Sequence, residues 1–139
     1  MSVRRRHPDW PERLAEVIAA RRDTPFAWGA QDCITFAADV SLALTGRDVW
    51  AAHRGTYATE AEAERVVGPD GLAAFVARLM AEAGAPEINV AEAQRGDWAL
   101  IMVGNMPLVG VVLDARVAAP GNDGLAFVPV RRAVRAWAV

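Results

Sequence analysis

The segment from Cys33 to Leu44 constrains this chain more than any other. Ile34, Ala37, Ala38, Val40, Ser41 and Leu44 spread apolar or small side chains over most of a helix's circumference. A helix without a polar face is buried on all sides, so the rest of the chain has to wrap it. With 139 residues, 53% of them hydrophobic, the chain can build one core and one domain, and a disordered chain is excluded. Gly46 supplies the stop at the helix's end.

Around this segment the pattern predicts helices first and strands after. Asp9-Trp10-Pro11-Glu12 reads as a helix start with Asp9 as N-cap, and Leu14, Val17 and Ile18 follow at helical spacing until Thr24-Pro25 ends the run. Thr59-Glu60-Ala61-Glu62 is a capping box for a short helix to about Val67. Leu72, Phe75, Val76, Leu79 and Met80 mark another helix, stopped at Gly84. From Trp98 the periodicity changes. Residues 98–103, 108–113 and 125–130 read as strands, with a further piece at 116–118 and turns at 104–107 and 120–124; the tail from Arg132 fits a short strand or a helix. This order is that of an α+β domain, expected to span 1–139 with residues 1–8 as a flexible arm.

Charge and cysteine content exclude several classes. The formal net charge of -2 offers no pull on nucleic acid or anionic lipid. No stretch approaches the roughly 20 apolar residues of a membrane span, and no apolar run follows Arg4 to Arg6 as a secretory signal requires. One Cys and two His fall short of the four ligands of a classical structural zinc site, a lone Cys forms no internal disulfide, and neither metal nor cofactor is expected.

That one cysteine carries the chemistry. Cys33 falls at a predicted helix N-terminus, where unpaired N–H groups and a positive partial charge favour a thiolate. A free thiol titrates near ~8.5, and this placement is expected to lower it. Gly29 lets the preceding loop turn tightly, and Trp28 and Phe26 are placed to wall the sulfur from water. The plain alternative is a small buried hydrophobe. Asp32 reads as a helix cap rather than a catalytic acid. Asp97 is expected to fix the turn into its strand, and Arg54 and Tyr57 to anchor the long segment between helices. Trp10, Trp50, Trp98, Trp137, Arg131, Arg132 and Arg135 suit a protein contact surface or core edges.

Trp28-Gly29-Ala30-Gln31-Asp32-Cys33 followed by a helix resembles the nucleophile segment of the NlpC superfamily, papain-like cysteine hydrolases that cut peptides of bacterial cell walls. Gly96-Asp97-Trp98-Ala99-Leu100 resembles the start of that family's first strand, and Leu108-Val109-Gly110-Val111-Val112-Leu113-Asp114 its second, which usually opens His-Val-Gly. A closer resemblance covers nearly the whole chain. It is to a family of small proteins of unknown function encoded among the tail genes of tailed phages and prophages. The residues that carry it are Phe26 to Cys33, Arg54-Gly55-Thr56-Tyr57, Gly96-Asp97 and Ala119-Pro120-Gly121-Asn122-Asp123-Gly124-Leu125. The resemblance implies a papain-like (NlpC-type) fold, with the Cys33 helix start packed on a C-terminal antiparallel sheet.

One departure bears on activity. In the hydrolases, the His opening the second strand is the general base. The aligned residue here is Leu108, which cannot take a proton, and loss of a positioned base costs ~10²–10⁴ in rate. His53 is the one candidate substitute near the motif, although nothing in the spacing requires it to reach Cys33. The balance therefore falls against an enzyme. The expectation is a tail-tip component in the virion tail, made in the bacterial cytoplasm, on a degenerate hydrolase fold. Its partners would be other tail-tip proteins such as hub, distal tail or fibre-type subunits. The alternatives are an active hydrolase of host peptidoglycan, with Cys33 as nucleophile, and a bacterial adaptor or ligand binder.

Overall fold

In a computed structural model that describes residues 5–139, the apolar segment forms α2 (Cys33–Thr45), and eight of its residues are buried. Asp32 caps its start in an extended conformation, and Gly46, at φ 75°, closes its end by donating its N–H to the Leu42 carbonyl. Two of the buried residues are polar, and each serves an indole. The Trp50 ring N–H reaches Thr35 Oγ1 at 3.2 Å and the Trp98 ring N–H reaches Ser41 Oγ at 2.8 Å. Tryptophan buries a large apolar surface only if its one donor finds a partner. These two hydroxyls therefore let Trp50 and Trp98 sit in the core at 1% and 0% exposure.

The other helices are α1 (Trp10–Arg21), α3 (Glu60–Val67) and α4 (Gly71–Glu82). The strands are β1 (Glu87–Ile88), β2 (Trp98–Val103), β3 (Met106–Val112), β4 (Arg116–Gly121), β5 (Gly124–Pro129) and β6 (Ala133–Trp137). They form one six-stranded sheet in the order β1-β6-β2-β3-β4-β5, antiparallel throughout. The protein is thus α+β, with four helices packed on an open antiparallel sheet. Trp98, Leu100, Val109, Val111 and Ala118 face the helices, and a second cluster on the other face joins Ala99, Ile101, Val112, Val117 and Ala119. Val128, Val130 and Ala133 pack against that cluster. Burial of both faces is why residues 98–103 run apolar without alternation.

Several details differ from the sequence reading. The turn between β2 and β3 is only Gly104-Asn105, and Met106 and Pro107 already pair with Val103 and Met102. The tail becomes β6 and inserts between β1 and β2, so the last strand is central. Asp9 takes the N-cap position without capping. Its backbone (φ -94°, ψ 26°) is not the extended geometry that turns a carboxylate onto the first amides, and its side chain pairs with Arg13 at 2.8 Å instead. The three tryptophans Trp50, Trp98 and Trp137 are core residues rather than contact surface.

The expected flexible arm is also corrected over the residues described; Met1 to Arg4 lie outside them. Arg6 is docked: Nη2 meets Asp97 Oδ1 at 2.9 Å, Nη1 the Arg95 carbonyl at 2.7 Å and Nε the Val139 carbonyl at 2.8 Å, while its guanidinium stacks on Trp10. The His7 N–H bonds the Leu44 carbonyl at the end of α2. Asp97, wholly buried, also accepts the N–H groups of Gln94 and Val139. It does fix the turn into β2, and it ties both flanks of the chain to that turn.

Candidate functional site

The loop that delivers Cys33 is held by Asp32. The Asp32 carboxylate accepts the Thr35 N–H at 2.9 Å, the Gly29 N–H at 2.8 Å and the Tyr57 hydroxyl at 2.5 Å. Gly29 is required at its position. Its φ is 81°, and a Cβ there would lie 2.3 Å from the Tyr57 carbonyl oxygen. Burial, and then the hydrogen bond to Asp32, hold the Tyr57 phenol well above its usual range, so it stays a neutral donor. Arg54, from the same segment, pairs with Asp39 of α2 and with Asp48, both at 2.7 Å, and Arg21 of α1 completes the clamp on Asp39. Arg54 and Tyr57 are therefore anchors, and Asp32 is a cap.

Cys33 opens onto a groove of about 360 Å³. Phe26 and Trp28 of the delivering loop form one end, with their rings edge to face at 4.7 Å. Met106, Pro107 and Leu108 of β3 line one wall, and the α3 face of Glu60, Ala63, Glu64 and Val67 lines the other, with Leu72 at the start of α4. Trp28 and Met106 are exposed large apolar side chains on the rim. Of the residues singled out in the sequence, Trp28, Cys33 and Leu108 line the groove, whereas Gly29 and Asp32 shape the loop behind it. The sequence reading missed Glu60, Glu64, Leu72, Met106 and Pro107. The signal for the glutamates was present, since positions 60, 63, 64 and 67 fall on one helical face.

The surroundings of the thiol work against its ionisation. Cys33 is half-buried and lines the groove, yet its pKa is pushed up to about 11, first by the water lost around the sulfur and further by the neighbouring Asp32 carboxylate. The backbone N–H groups of Val109 and Ile34 point at the sulfur and work in the opposite direction without prevailing. The expected thiolate at a helix start is thus overturned. Desolvation exceeds the helix-terminal field, and the cap that stabilises the helix places a negative charge beside the sulfur.

No base reaches it from the predicted positions. His53 stacks on Trp50 at 4.6 Å and faces Phe75 at 5.9 Å, outside the residues that line the groove. His7 lies near Gly46, at the opposite end of α2. Leu108 lines the groove and also packs against the cluster on the sheet's other face. The stretch of β3 facing the sulfur, Met106 to Val109, holds no titratable side chain. Among the described residues no three His, Cys, Asp or Glu side chains gather in a metal-holding group, and no helix is long and apolar enough to cross a membrane.

Fold and site thus define a small α+β domain with a thiol-floored, acid-rimmed groove between a hairpin and two helices. Residues 5–139 match the family described as a domain of unknown function, DUF6950, and the chain belongs to that family. Comparison with curated proteins finds no significant match.

Proposed function

We propose that the chain is a tail-tip component of a tailed phage or prophage, built on a degenerate NlpC-like papain-type fold, with a structural or assembly role instead of a hydrolytic one. The observation that carries this reading is a groove that reaches Cys33 with Leu108 at the position of the base and no imidazole among the residues that line it. Burial and the Asp32 carboxylate push the thiol up to about 11, so the thiolate is scarce at neutral pH. Peptide cleavage also needs a proton for the departing amine, and the apolar stretch Met106 to Val109 cannot give one. A groove that binds without cutting is what remains when such a site loses its base, because a fold outlasts the chemistry grafted on it. The kinship with the hydrolases is supported by Cys33 at the first position of a buried helix laid against β3. The tail assignment is supported by the string Phe26 to Cys33 together with Arg54 to Tyr57 and Ala119 to Leu125.

Two measurements test the proposal. Particles purified from cells producing the phage are expected to contain the chain, cross-linked to tail-tip subunits. Purified cell walls incubated with the chain should release no more new amino groups than with Cys33→Ala. Release by the wild-type chain alone would establish the hydrolase, working with a base from a neighbouring subunit or from a rearranged loop. Absence of the chain from tails would remove the structural role.

A further inference from the structure

The groove's chemistry specifies its occupant more narrowly than a general protein contact. Three features converge there. The first is charge. Glu60 and Glu64 lie one turn apart on α3 and both face the groove, and neither forms an ion pair among the described residues. The capping work of this helix falls to Thr59, which takes the Glu62 N–H, and to Glu62, whose carboxylate takes the Ala58 N–H and the Thr59 hydroxyl. The two groove carboxylates are therefore not committed to holding the helix start.

The second is an apolar wall: Trp28 and Met106 stand exposed at 38% and 59% on the rim. The third is a free strand edge. β3 pairs with β4 only at Val111 and Val112, leaving Met106 to Gly110 without a partner on that side. Val112 exchanges hydrogen bonds with Gly96 and Asp97 on the β2 side. By antiparallel alternation, the backbone groups of Val109 and Pro107 point the other way, along the free edge. The Val109 N–H is directed at the sulfur, and Pro107 has no N–H. Beside the groove the edge thus presents the Pro107 carbonyl as an acceptor with no free donor.

We propose that the groove docks an extended, basic peptide segment of a partner protein. An apolar side chain lodges against Trp28 and Met106, a lysine or arginine faces Glu60 and Glu64, and a backbone N–H is donated to the Pro107 carbonyl. Strand addition at an open edge supplies affinity, and the pockets beside it supply specificity. Carboxylates at the rim select the partner's charge more than they raise its affinity. This inference rests on reading the groove as a binding site, and it adds the chemistry of the partner.

The test uses the whole chain and three acetylated, amidated seven-residue peptides: one alternating lysine with leucine, one alternating glutamate with leucine, and the lysine peptide N-methylated at its central leucine. Binding is followed by amide chemical shifts. The lysine peptide should shift Leu108, Glu64 and Leu72 and bind at least about tenfold tighter than the glutamate peptide. The paired change Glu60→Gln and Glu64→Gln should weaken it about fivefold, and removing one N–H by methylation should weaken it by a similar factor. Met106→Ser, at an exposed position, should weaken both charged peptides equally. No binding of the lysine peptide at about 1 mM, equal binding of both charged peptides, or indifference to the glutamine pair would overturn the proposal. Self-association of the chain that the glutamine pair abolishes would also overturn it, making a second copy the occupant. Cleavage of the bound lysine peptide would sink the assembly role and leave this inference standing. Incorporation into tails without peptide binding would do the reverse.

Discussion

Replacing Asp32 with alanine separates a structural from a chemical role for the residue beside the thiol. Its carboxylate caps α2 through the Thr35 N–H and also holds the Gly29 N–H and the Tyr57 hydroxyl. Loss of the cap costs about 1 kcal/mol. The half-buried Gly29 amide and the buried Tyr57 hydroxyl lose their acceptor, at about 1–3 kcal/mol for each group left unpaired. Tyr57 retains Thr35 Oγ1 at 3.1 Å, which places its share at the low end. The sum is about 3–4 kcal/mol, or a fall of about 10–14 °C in Tm for a domain of this size. Asp32→Asn keeps a competent cap and an acceptor for Tyr57, and should cost about half as much. Thermal and urea unfolding followed by circular dichroism measure both. In a double-mutant cycle with Tyr57→Phe the coupling should be about 1 kcal/mol. A loss below about 1 kcal/mol for Asp32→Ala, or no coupling to Tyr57, would refute the view that this carboxylate builds the loop.

Three further outcomes follow from the same geometry. Gly29→Ala should lower stability by more than about 2 kcal/mol in urea unfolding, since both its φ of 81° and the 2.3 Å approach to the Tyr57 carbonyl oppose a side chain; a change within about 0.5 kcal/mol would contradict the close approach. Arg6→Ala removes the guanidinium that meets the buried Asp97 carboxylate at 2.9 Å and should cost about 3–5 kcal/mol, measured the same way, whereas an arm that merely trails in solvent would cost nothing. The Asp48 carboxyl is held below its ordinary value chiefly by the hydrogen bond from Arg54. Its contribution to stability is therefore complete above about pH 4 and is lost as pH falls through the lowered value. Urea midpoints between about pH 6 and 3 should fall less steeply for Asp48→Asn than for the wild type.

How much of this was legible in the sequence depended on whether the signal was local. The helix Cys33–Thr45, its Asp32 cap and its Gly46 stop were readable because an unbroken apolar surface and a left-handed glycine are local facts. The capping box at Thr59 was readable for the same reason. The place of the tail in the sheet was not, because Ala133–Trp137 becomes a central strand through pairing with β2, a contact that no local pattern encodes. Arg6 looked like part of a basic arm because its partners, Arg95, Asp97 and Val139, lie some 90 to 130 residues away. At the site, the position of Cys33 was legible and its ionisation was not. A helix start argues for a thiolate, but burial and the adjacent carboxylate outweigh it, and burial is set by how α2 meets β3. The groove's second wall was missed because Glu60 and Glu64 were read only as the first turns of a helix.

Because Cys33 is the only cysteine, its ionisation can be followed without interference, and it tests most directly whether this groove can hold a nucleophile. With the thiol near 11, the rate of reaction with an aromatic disulfide should rise tenfold per pH unit from about pH 7 to 9.5 with no plateau. At pH 7.5 that rate should run about twentyfold below a model peptide thiol, the scarcer thiolate being partly offset by its greater nucleophilicity. A plateau with a midpoint below about 8, or a rate above the model thiol's, would mean an activated cysteine and would contradict the non-hydrolytic account.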